Sequence, residues 1–127
     1  MRYLLDTHAV IWHFDDSPKL SESIKEIIDN AENDICISSV SLWEIAIKIN
    51  IGKLDVDFTL EELLIEIQDS DFDILQIENE YLHGLSVLPF IHKDPFDRLL
   101  ISIAHAENLT VITTDENIQK YDVPWIW

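Results

Sequence analysis

The stretch that decides the fold is Arg2-Tyr3-Leu4-Leu5-Asp6-Thr7. Three apolar residues end abruptly in a carboxylate, and a second apolar stretch, Ala9-Val10-Ile11-Trp12, follows at once. This order predicts a buried strand, an acid at its carboxyl end and then a helix. In open parallel sheets, ligands bind in the crevice outside the carboxyl ends of the strands. Asp6 therefore stands where a functional site is expected.

Strands and helices alternate along the rest of the chain. Apolar runs predict further strands at residues 35–38, 73–77 and 109–113, with a last extended piece at 123–127. Helical spacing of apolar residues predicts helices at 20–31, 39–49, from 59 onward, around 81–85 and at 96–107, and a short helix follows residue 115. This alternation is typical of βαβ units. We therefore expect a single domain over residues 1–127, a three-layer α/β/α sandwich with a mostly parallel central sheet.

Local signals sharpen several of these boundaries. The helix at 39–49 is apolar nearly all round, which predicts that it is buried, and Gly52 is a plausible stop after it. Thr59-Leu60-Glu61-Glu62 is a capping box that opens the next helix. Asp94-Pro95 marks another helix start, with Asp94 as N-cap and proline at the first helical position.

The net charge of −17 limits the possible partners. The chain has 25 Asp and Glu residues against 8 Lys and Arg, whereas a protein that holds nucleic acid by charge alone should be basic. Two interpretations remain open. Either the partner is basic, or clustered carboxylates hold divalent cations that meet the phosphates of a nucleic acid.

Composition also favours a cytoplasmic globular protein. Apolar residues make up 47% of the chain, and no apolar run approaches the ~20 residues of a membrane span. The N-terminus has neither the basic region nor the cleavage site of a signal peptide. The single cysteine, Cys36, cannot form an intramolecular disulfide and is expected to be a small buried hydrophobe.

Four acids stand where a parallel sheet would bring them to one edge. Asp6 ends the first strand and Asp115 lies just past the fourth, while Glu44 and Asp97 fall in the first turns of two helices. Helices that follow strands begin at the carboxyl edge of the sheet. We therefore expect the four carboxylates to converge on one pocket from distant parts of the chain.

Each acid also has a structural explanation. Ser41-x-x-Glu44 has the form of a capping box, and Asp97 in a first helical turn complements the helix dipole. Asp115 could cap the short helix after it. Asp6 is the hardest to explain in this way, because an acid that ends a buried strand has no local capping role unless it caps the next helix. With 25 acids in the chain, some reach helix starts by chance. Only the convergence of all four acids in one place indicates a functional site.

Convergence of four carboxylates has a physical consequence. Two bare carboxylates ~4 Å apart repel by roughly 4 kcal/mol at an effective dielectric constant of about 20. Four in one pocket require protons or a cation, and oxygen ligands select Mg²⁺ or Mn²⁺. Such a site activates water and stabilises charge on a phosphodiester. The sequence therefore predicts metal-dependent hydrolysis of nucleic acid.

The motifs around these acids resemble those of a known family. They are Tyr3-Leu4-Leu5-Asp6-Thr7-His8, Ser39-Val40-Ser41-Leu42-Trp43-Glu44-Ile45-Ala46-Ile47-Lys48, His92-Lys93-Asp94-Pro95-Phe96-Asp97-Arg98-Leu99-Leu100-Ile101 and Val111-Ile112-Thr113-Thr114-Asp115. In order and spacing they are similar to the successive motifs of the PIN domain, and above all to VapC-type toxins of bacterial toxin–antitoxin pairs. The resemblance covers essentially the whole chain.

The resemblance implies a PIN fold and an endoribonuclease that depends on Mg²⁺ or Mn²⁺. It implies an RNA substrate, a homodimer and silencing by a small antitoxin protein. Asp94 fits better as a helix N-cap and is left out of the implied site. The residues it implies are Asp6, Glu44, Asp97 and Asp115 as the catalytic acids, with Asp6, Asp97 and Asp115 as metal ligands and Thr7 and Thr113 as supporting hydroxyl residues.

The scarcity of basic residues fits an RNA-binding family awkwardly. Lys48 follows Glu44 by four residues, the spacing of a helix ion pair, and Arg98 could likewise steady an acid. Lys93 and Arg98 are the candidates for phosphate contact. The acidity suggests a substrate recognised by shape, or an antitoxin with a basic segment.

The four tryptophans are interpreted as core and interface residues and not as platforms for stacking bases. They are Trp12, Trp43, Trp125 and Trp127. If the terminal stretch 125–127 is exposed, it is a candidate surface for a dimer or an antitoxin.

Three alternatives stay open. The chain could be a PIN nuclease that acts on DNA or matures ribosomal RNA, and the sequence does not separate these. It could be a noncatalytic PIN-fold binding or regulatory module, for which the four acids would be dispensable. A phosphoacceptor receiver domain also carries acids at strand ends, but it needs a lysine after a late strand, and here Thr113-Thr114-Asp115 stands there.

Overall fold

A five-stranded parallel sheet forms the centre of the molecule. The computed structural model describes residues 1–127. The strands are β1 (Arg2–Leu5), β2 (Asp34–Ser38), β3 (Asp73–Leu75), β4 (Thr110–Ile112) and β5 (Trp125–Ile126). All neighbouring pairs are parallel, and the strand order is β3-β2-β1-β4-β5. The predicted parallel sheet is confirmed, and the final extended piece is its edge strand.

Seven helices connect the strands. They are α1 (Thr7–Phe14), α2 (Glu22–Asp29), α3 (Ser39–Asn50), α4 (Leu60–Asp69), α5 (Asn79–Ser86), α6 (Pro95–Glu107) and α7 (Glu116–Gln119). None of them is both long and apolar enough to cross a membrane.

Alternate residues of the strands point to opposite faces of the sheet. Tyr3 and Leu5 pack in one buried apolar cluster with residues of α1, α2 and α4, whereas Leu4 packs in a second cluster with residues of α5 and α6. Each cluster contains 14 buried residues. The period of two is that of strands buried on both sides, so the predicted three-layer α/β/α architecture is confirmed.

Most of the predicted helix signals hold in the structure. Thr59 and Glu62 form a reciprocal capping box at the start of α4. The side chain of Asp94 caps α6, with Pro95 at the first helical position. Gly52 has a φ of 72°, a left-handed conformation that glycine adopts without a steric penalty. Its N–H donates to Ile49 O and closes α3.

Two predictions about α3 are wrong. The helix begins at Ser39 and is capped by Ser38, whose Oγ accepts from Val40 N at 3.1 Å. Ser41 is therefore already inside the helix, and the predicted capping box with Glu44 does not form. The helix is also not buried all round, because no element covers its outer side. Trp43 is 57% exposed and Ile47 is 37% exposed.

The strand order places a crevice between β1 and β4. From β1 the chain builds β2 and β3 to one side, and it then returns to build β4 and β5 on the other side. The backbone N–H of Asp6 donates to Ile112 O at 3.1 Å, so pairing continues past the end of β1. At such a point of reversal the connections diverge and leave a crevice at the carboxyl edge.

Candidate active site

Asp6 lies in this crevice and is 3% exposed. Its Oδ1 accepts from Ala9 N at 2.7 Å and so caps α1, and its Oδ2 accepts from the hydroxyl of Thr113 at 2.5 Å. Burial raises the pKa of Asp6, and these two hydrogen bonds offset part of that rise. The side chain is therefore fixed in position by the first turn of α1 and by the residue that follows β4.

Glu44 reaches the same region from the second turn of α3. Its Oε1 accepts from the Thr7 hydroxyl at 2.7 Å, and its Oε2 lies 2.9 Å from Lys48 Nζ, one helical turn further on. The Thr7 hydroxyl also lies 3.0 Å from Ser41 Oγ. Glu44 is 7% exposed, so this ion pair and hydrogen bond neutralise and orient a nearly buried carboxylate. The predicted pairing of Lys48 with Glu44 is confirmed.

Asp97 is the acid whose charge is least compensated. It occupies the first turn of α6, and its Oδ2 lies 3.7 Å from His92 Nε2. Burial raises the pKa of Asp97 to about 8, and the negative charges of Asp94, Asp115, Glu44 and Asp6 add to the shift.

The charges of Asp6, Glu44 and Asp115 therefore all act on Asp97, and that of Asp115 acts on Asp6 as well. The structure brings together Asp6, Glu44, Asp97 and Asp115 from four separate segments of the chain.

Asp115 joins the site from the loop after β4. Its Oδ1 accepts from Asn117 N at 2.8 Å and caps α7, and its own N–H donates to Thr113 Oγ1 at 2.9 Å. Thr113 is fully buried. Its hydroxyl donates to Asp6 Oδ2 and accepts from the backbone N–H of Asp115, so it connects the two aspartates. The capping roles considered for Asp6 and Asp115, and the first-turn position of Asp97 beside the helix dipole, are present together with their convergence.

The sequence analysis missed His92 and set Asp94 aside. The ligand atoms of His92, Asp94 and Asp97 all lie within 4.8 Å of one another, and this is the only such group in the structure. The predicted trio of Asp6, Asp97 and Asp115 therefore spans a wider space. Asp94 also caps α6, as predicted, through Oδ1. The three-residue spacing of Asp94 and Asp97 on one helix was the available signal.

The basic residues near the motifs are mostly engaged. Arg98 Nη1 donates to Pro89 O at 3.1 Å and to the Tyr121 hydroxyl at 3.0 Å, and its guanidinium lies 4.8 Å from the ring centre of Phe90. Arg98 thus fastens the loop before α6 and pairs with no acid. Lys93 is exposed and makes no salt bridge, so of the two it is the candidate for phosphate contact.

Carboxylate oxygens dominate the donor set of this crevice. Hard divalent cations such as Mg²⁺ and Mn²⁺ prefer such ligands. Burial is the largest cause of the raised pKa values of Asp6 and Asp97, and neighbouring carboxylates add to both shifts. The chemistry of these residues therefore fits a divalent cation. Asp6, Asp97 and Asp115 remain its predicted ligands, and His92 and Asp94 lie close to Asp97.

A separate cavity of about 270 Å³ lies beside α1, where its lining includes His8, Trp12 and Lys19. None of the four acids lines it. This cavity is therefore separate from the site formed by the four carboxylates.

Comparison with known families agrees with this geometry. Residues 3–124 match the PIN domain family. The chain belongs to the PIN domain family. The motifs that carried the resemblance thus identified the family correctly, and the PIN-like fold is confirmed. No curated protein sequence matches the chain significantly.

Several solved structures share this PIN fold over nearly their whole length. VapBC2 from Rickettsia felis, bound to a DNA fragment from its promoter, has a TM-score of 0.72 at 20% identity, with 99% of this chain and 98% of that chain covered. FitAcB from Neisseria gonorrhoeae has a TM-score of 0.70 at 20% identity, with 100% of this chain and 97% of that chain covered. VapBC-1 from nontypeable Haemophilus influenzae gives 0.65 at 19% identity, with 99% and 97% covered.

Proposed function

We propose that this PIN-domain protein is an endoribonuclease that hydrolyses RNA phosphodiesters with Mg²⁺ or Mn²⁺, and that it is the VapC-type toxin of a toxin–antitoxin pair. The observation that carries the proposal is the convergence of four carboxylates around Asp97, whose pKa is raised to about 8. Uncompensated negative charge at a crevice of the sheet is what a divalent cation would relieve. The fold likeness to toxin–antitoxin complexes supports the choice of biological role.

The chain's own residues have distinct tasks in this proposal. Asp6, Asp97 and Asp115 hold the cation, and Glu44 completes the catalytic acids. Thr113 orients Asp6, and Thr7 orients Glu44, through the hydrogen bonds described above. When bound, the cation activates water and neutralises the charge that develops on the scissile phosphate. Because each acid is fixed by a hydrogen bond or a helix start, little reorganisation is needed on binding.

The first experiment is cleavage of a mixed RNA pool by the purified protein with Mg²⁺, compared with EDTA and with Asp6→Asn. We expect cleavage only by the unmodified protein with the cation. Cleavage that persists in EDTA or in Asp6→Asn at the original rate would contradict the proposed site. Cleavage of DNA in preference to RNA, or of structured ribosomal RNA alone, would favour the other PIN nuclease roles.

The charge of the molecule favours a cationic antitoxin. A net charge of −17 attracts a basic polypeptide and raises its rate of association. We propose a small antitoxin protein with a basic segment as the partner, acting in the cytoplasm on a homodimer of this chain. The structure has no membrane-spanning helix.

Expression in a bacterial host separates the toxin from a binding module. We expect the unmodified chain to arrest growth and Asp97→Asn to leave growth unaffected at equal protein level. Equal arrest by both proteins would favour the noncatalytic binding module, because the acids would then be dispensable. Light scattering of the purified protein measures whether it is a dimer.

A further inference from the structure

Two consecutive residues of α3 meet two consecutive residues of α6 beside the crevice. Glu44 and Asp97 interact electrostatically, and the residues that precede them, Trp43 and Phe96, are in contact. The two rings meet edge to face, with ring centres 5.2 Å apart and an angle of 72° between their planes. The aromatic pair therefore adjoins the proposed catalytic acids, because each ring precedes one of these acids by one residue.

Trp43 is the exposed member of this pair. It is 57% exposed, although it stands in a helix whose sequence is apolar. An edge-to-face contact covers at most one face of the indole and fixes its orientation through Phe96. The structure thus holds a large, oriented and accessible aromatic surface next to the place where a phosphodiester would be hydrolysed.

The charges of the chain do not explain how it would hold RNA. The chain has only 8 basic residues, and several are engaged within the protein. Lys48 pairs with Glu44, Lys25 lies 3.5 Å from Glu22, Arg2 donates to Glu107 O and Arg98 donates to carbonyls of its loop. Affinity for a polyanion must therefore come largely from a source other than direct ion pairs.

Base stacking is such a source. An unpaired base stacks on an exposed aromatic ring and gains free energy with little dependence on sequence, whereas the bases of a duplex are already stacked and inaccessible. We infer that Trp43, backed by Phe96, stacks an unpaired base of the substrate RNA next to the scissile phosphate, contrary to its sequence-based interpretation as a core or interface residue. This inference rests on the proposed nuclease function and adds a binding residue to it.

Steady-state cleavage of single-stranded RNA with Mg²⁺ tests the role of Trp43. We expect Trp43→Leu to raise KM by about 5- to 150-fold, the factor that one stacked base contributes, with kcat nearly unchanged. Trp43→Phe should restore most of the affinity because it keeps an aromatic face. Trp125→Leu is the matched control, since Trp125 is 43% exposed but lies on the edge strand β5, and it should behave like the unmodified protein.

Photocrosslinking gives a readout that does not depend on turnover. Single-stranded RNA containing 4-thiouridine, irradiated with the unmodified protein, should crosslink to the peptide that contains Trp43, and the same RNA annealed to its complement should not. An unchanged KM in Trp43→Leu together with crosslinks elsewhere would overturn the inference. So would a change from dimer to monomer in Trp43→Leu on light scattering, because Trp43 would then lie in an interface between two copies.

The outcomes separate this inference from the proposed function. Cleavage that requires Asp6 but is indifferent to Trp43 would leave the nuclease standing and remove the stacking residue. Crosslinking to Trp43 without cleavage of any RNA would leave a single-strand binding surface and remove the nuclease. If the protein shows neither cleavage of RNA nor crosslinking to it, both the nuclease function and the stacking role of Trp43 are overturned.

Discussion

The two sides of the acidic crevice differ in how the protein itself compensates their carboxylates. On the side built from β1 and α3, every oxygen of Asp6 and Glu44 has a partner, whether a backbone N–H, a threonine hydroxyl or Lys48. On the side built from α6 and α7, the side chain that faces Asp97 is His92, whose Nε2 lies 3.7 Å from Asp97 Oδ2. One side is thus organised without an ion, and the other keeps an excess of negative charge. The excess negative charge therefore lies on the α6 side, where the proposed cation would offset it.

Removal of the uncompensated charge should have the largest effect. We expect Asp97→Asn to lower the cleavage rate by about 10²- to 10⁴-fold and, in the absence of divalent cations, to raise the melting temperature at pH 8, because repulsion from Asp94 and the other acids is relieved. Cleavage assays and thermal unfolding in EDTA measure the two effects. Glu26→Gln, an exposed change on α2, is the control. A lower melting temperature for Asp97→Asn would contradict the inference that the α6 side carries uncompensated negative charge.

The pH dependence of stability follows from the same residue. The pKa of Asp97 rises from 3.8 to about 8 on folding, so between these values the folded state binds more protons than the unfolded state. Stability from this group is therefore present at low pH and is lost as pH rises through about 8. The free energy of unfolding in EDTA should fall by up to about 1.4 kcal/mol per pH unit in this window. Urea unfolding at several pH values measures the slope.

Two controls accompany the pH series. Mg²⁺ should flatten the slope, since a bound cation stabilises the ionised carboxylates, and Asp97→Asn should flatten it without Mg²⁺. A slope in Asp97→Asn equal to that of the unmodified protein would show that other groups dominate the titration.

A smaller effect is expected on the compensated side. Lys48→Met removes the cation 2.9 Å from Glu44 Oε2 and leaves a nearly buried carboxylate without its ion pair. The free energy of unfolding should fall by about 1–3 kcal/mol. The double variant Lys48→Met with Glu44→Gln should recover part of this loss, since the remaining amide carries no charge. No recovery would mean that the lysine acts through packing of its methylene groups.

The smallest change concerns the hydrogen bond that orients Glu44. Thr7→Val keeps the shape of the side chain and removes the hydroxyl that donates to Glu44 Oε1 at 2.7 Å. We expect a loss of about 1 kcal/mol in the free energy of unfolding and a reduced cleavage rate. Thermal unfolding and cleavage with Mg²⁺ measure both, and Thr114→Val, at an exposed position, is the control. A loss as large as that of Lys48→Met would show that the hydroxyl matters as much as the ion pair.

The secondary structure was predictable where apolar residues recur with the spacing of a strand or a helix. Alternating strands and helices, the Asp94-Pro95 start and the capping box at Thr59 all rest on local chemistry, which acts within a few residues. The strand order was not predictable in this way, because it depends on which strands pair across the whole chain. The exposure of Trp43 was missed for the same reason, since an apolar helix is buried only where a neighbour covers it.

The site was predictable to the extent that a parallel sheet brings the carboxyl ends of its strands to the same edge. Acids after β1 and β4 had to lie near one another once those strands were neighbours. The approach of His92 to Asp97 depends on a loop conformation that Arg98 holds through backbone carbonyls. No pattern in the sequence encodes those carbonyl contacts, so the loop and its histidine emerged only from the structure.

The bond between the Thr113 hydroxyl and Asp6 joins residues 107 positions apart. During synthesis, Asp6 leaves the ribosome early. Its partner Thr113 follows β4 and is made only after most of the chain. Contacts of such long range form late in folding and are costly to close. A nascent or truncated chain that stops before β4 therefore cannot assemble the crevice. Under the proposed nuclease function, only completed molecules are active, and release from the ribosome is the earliest moment at which the proposed antitoxin would have to bind.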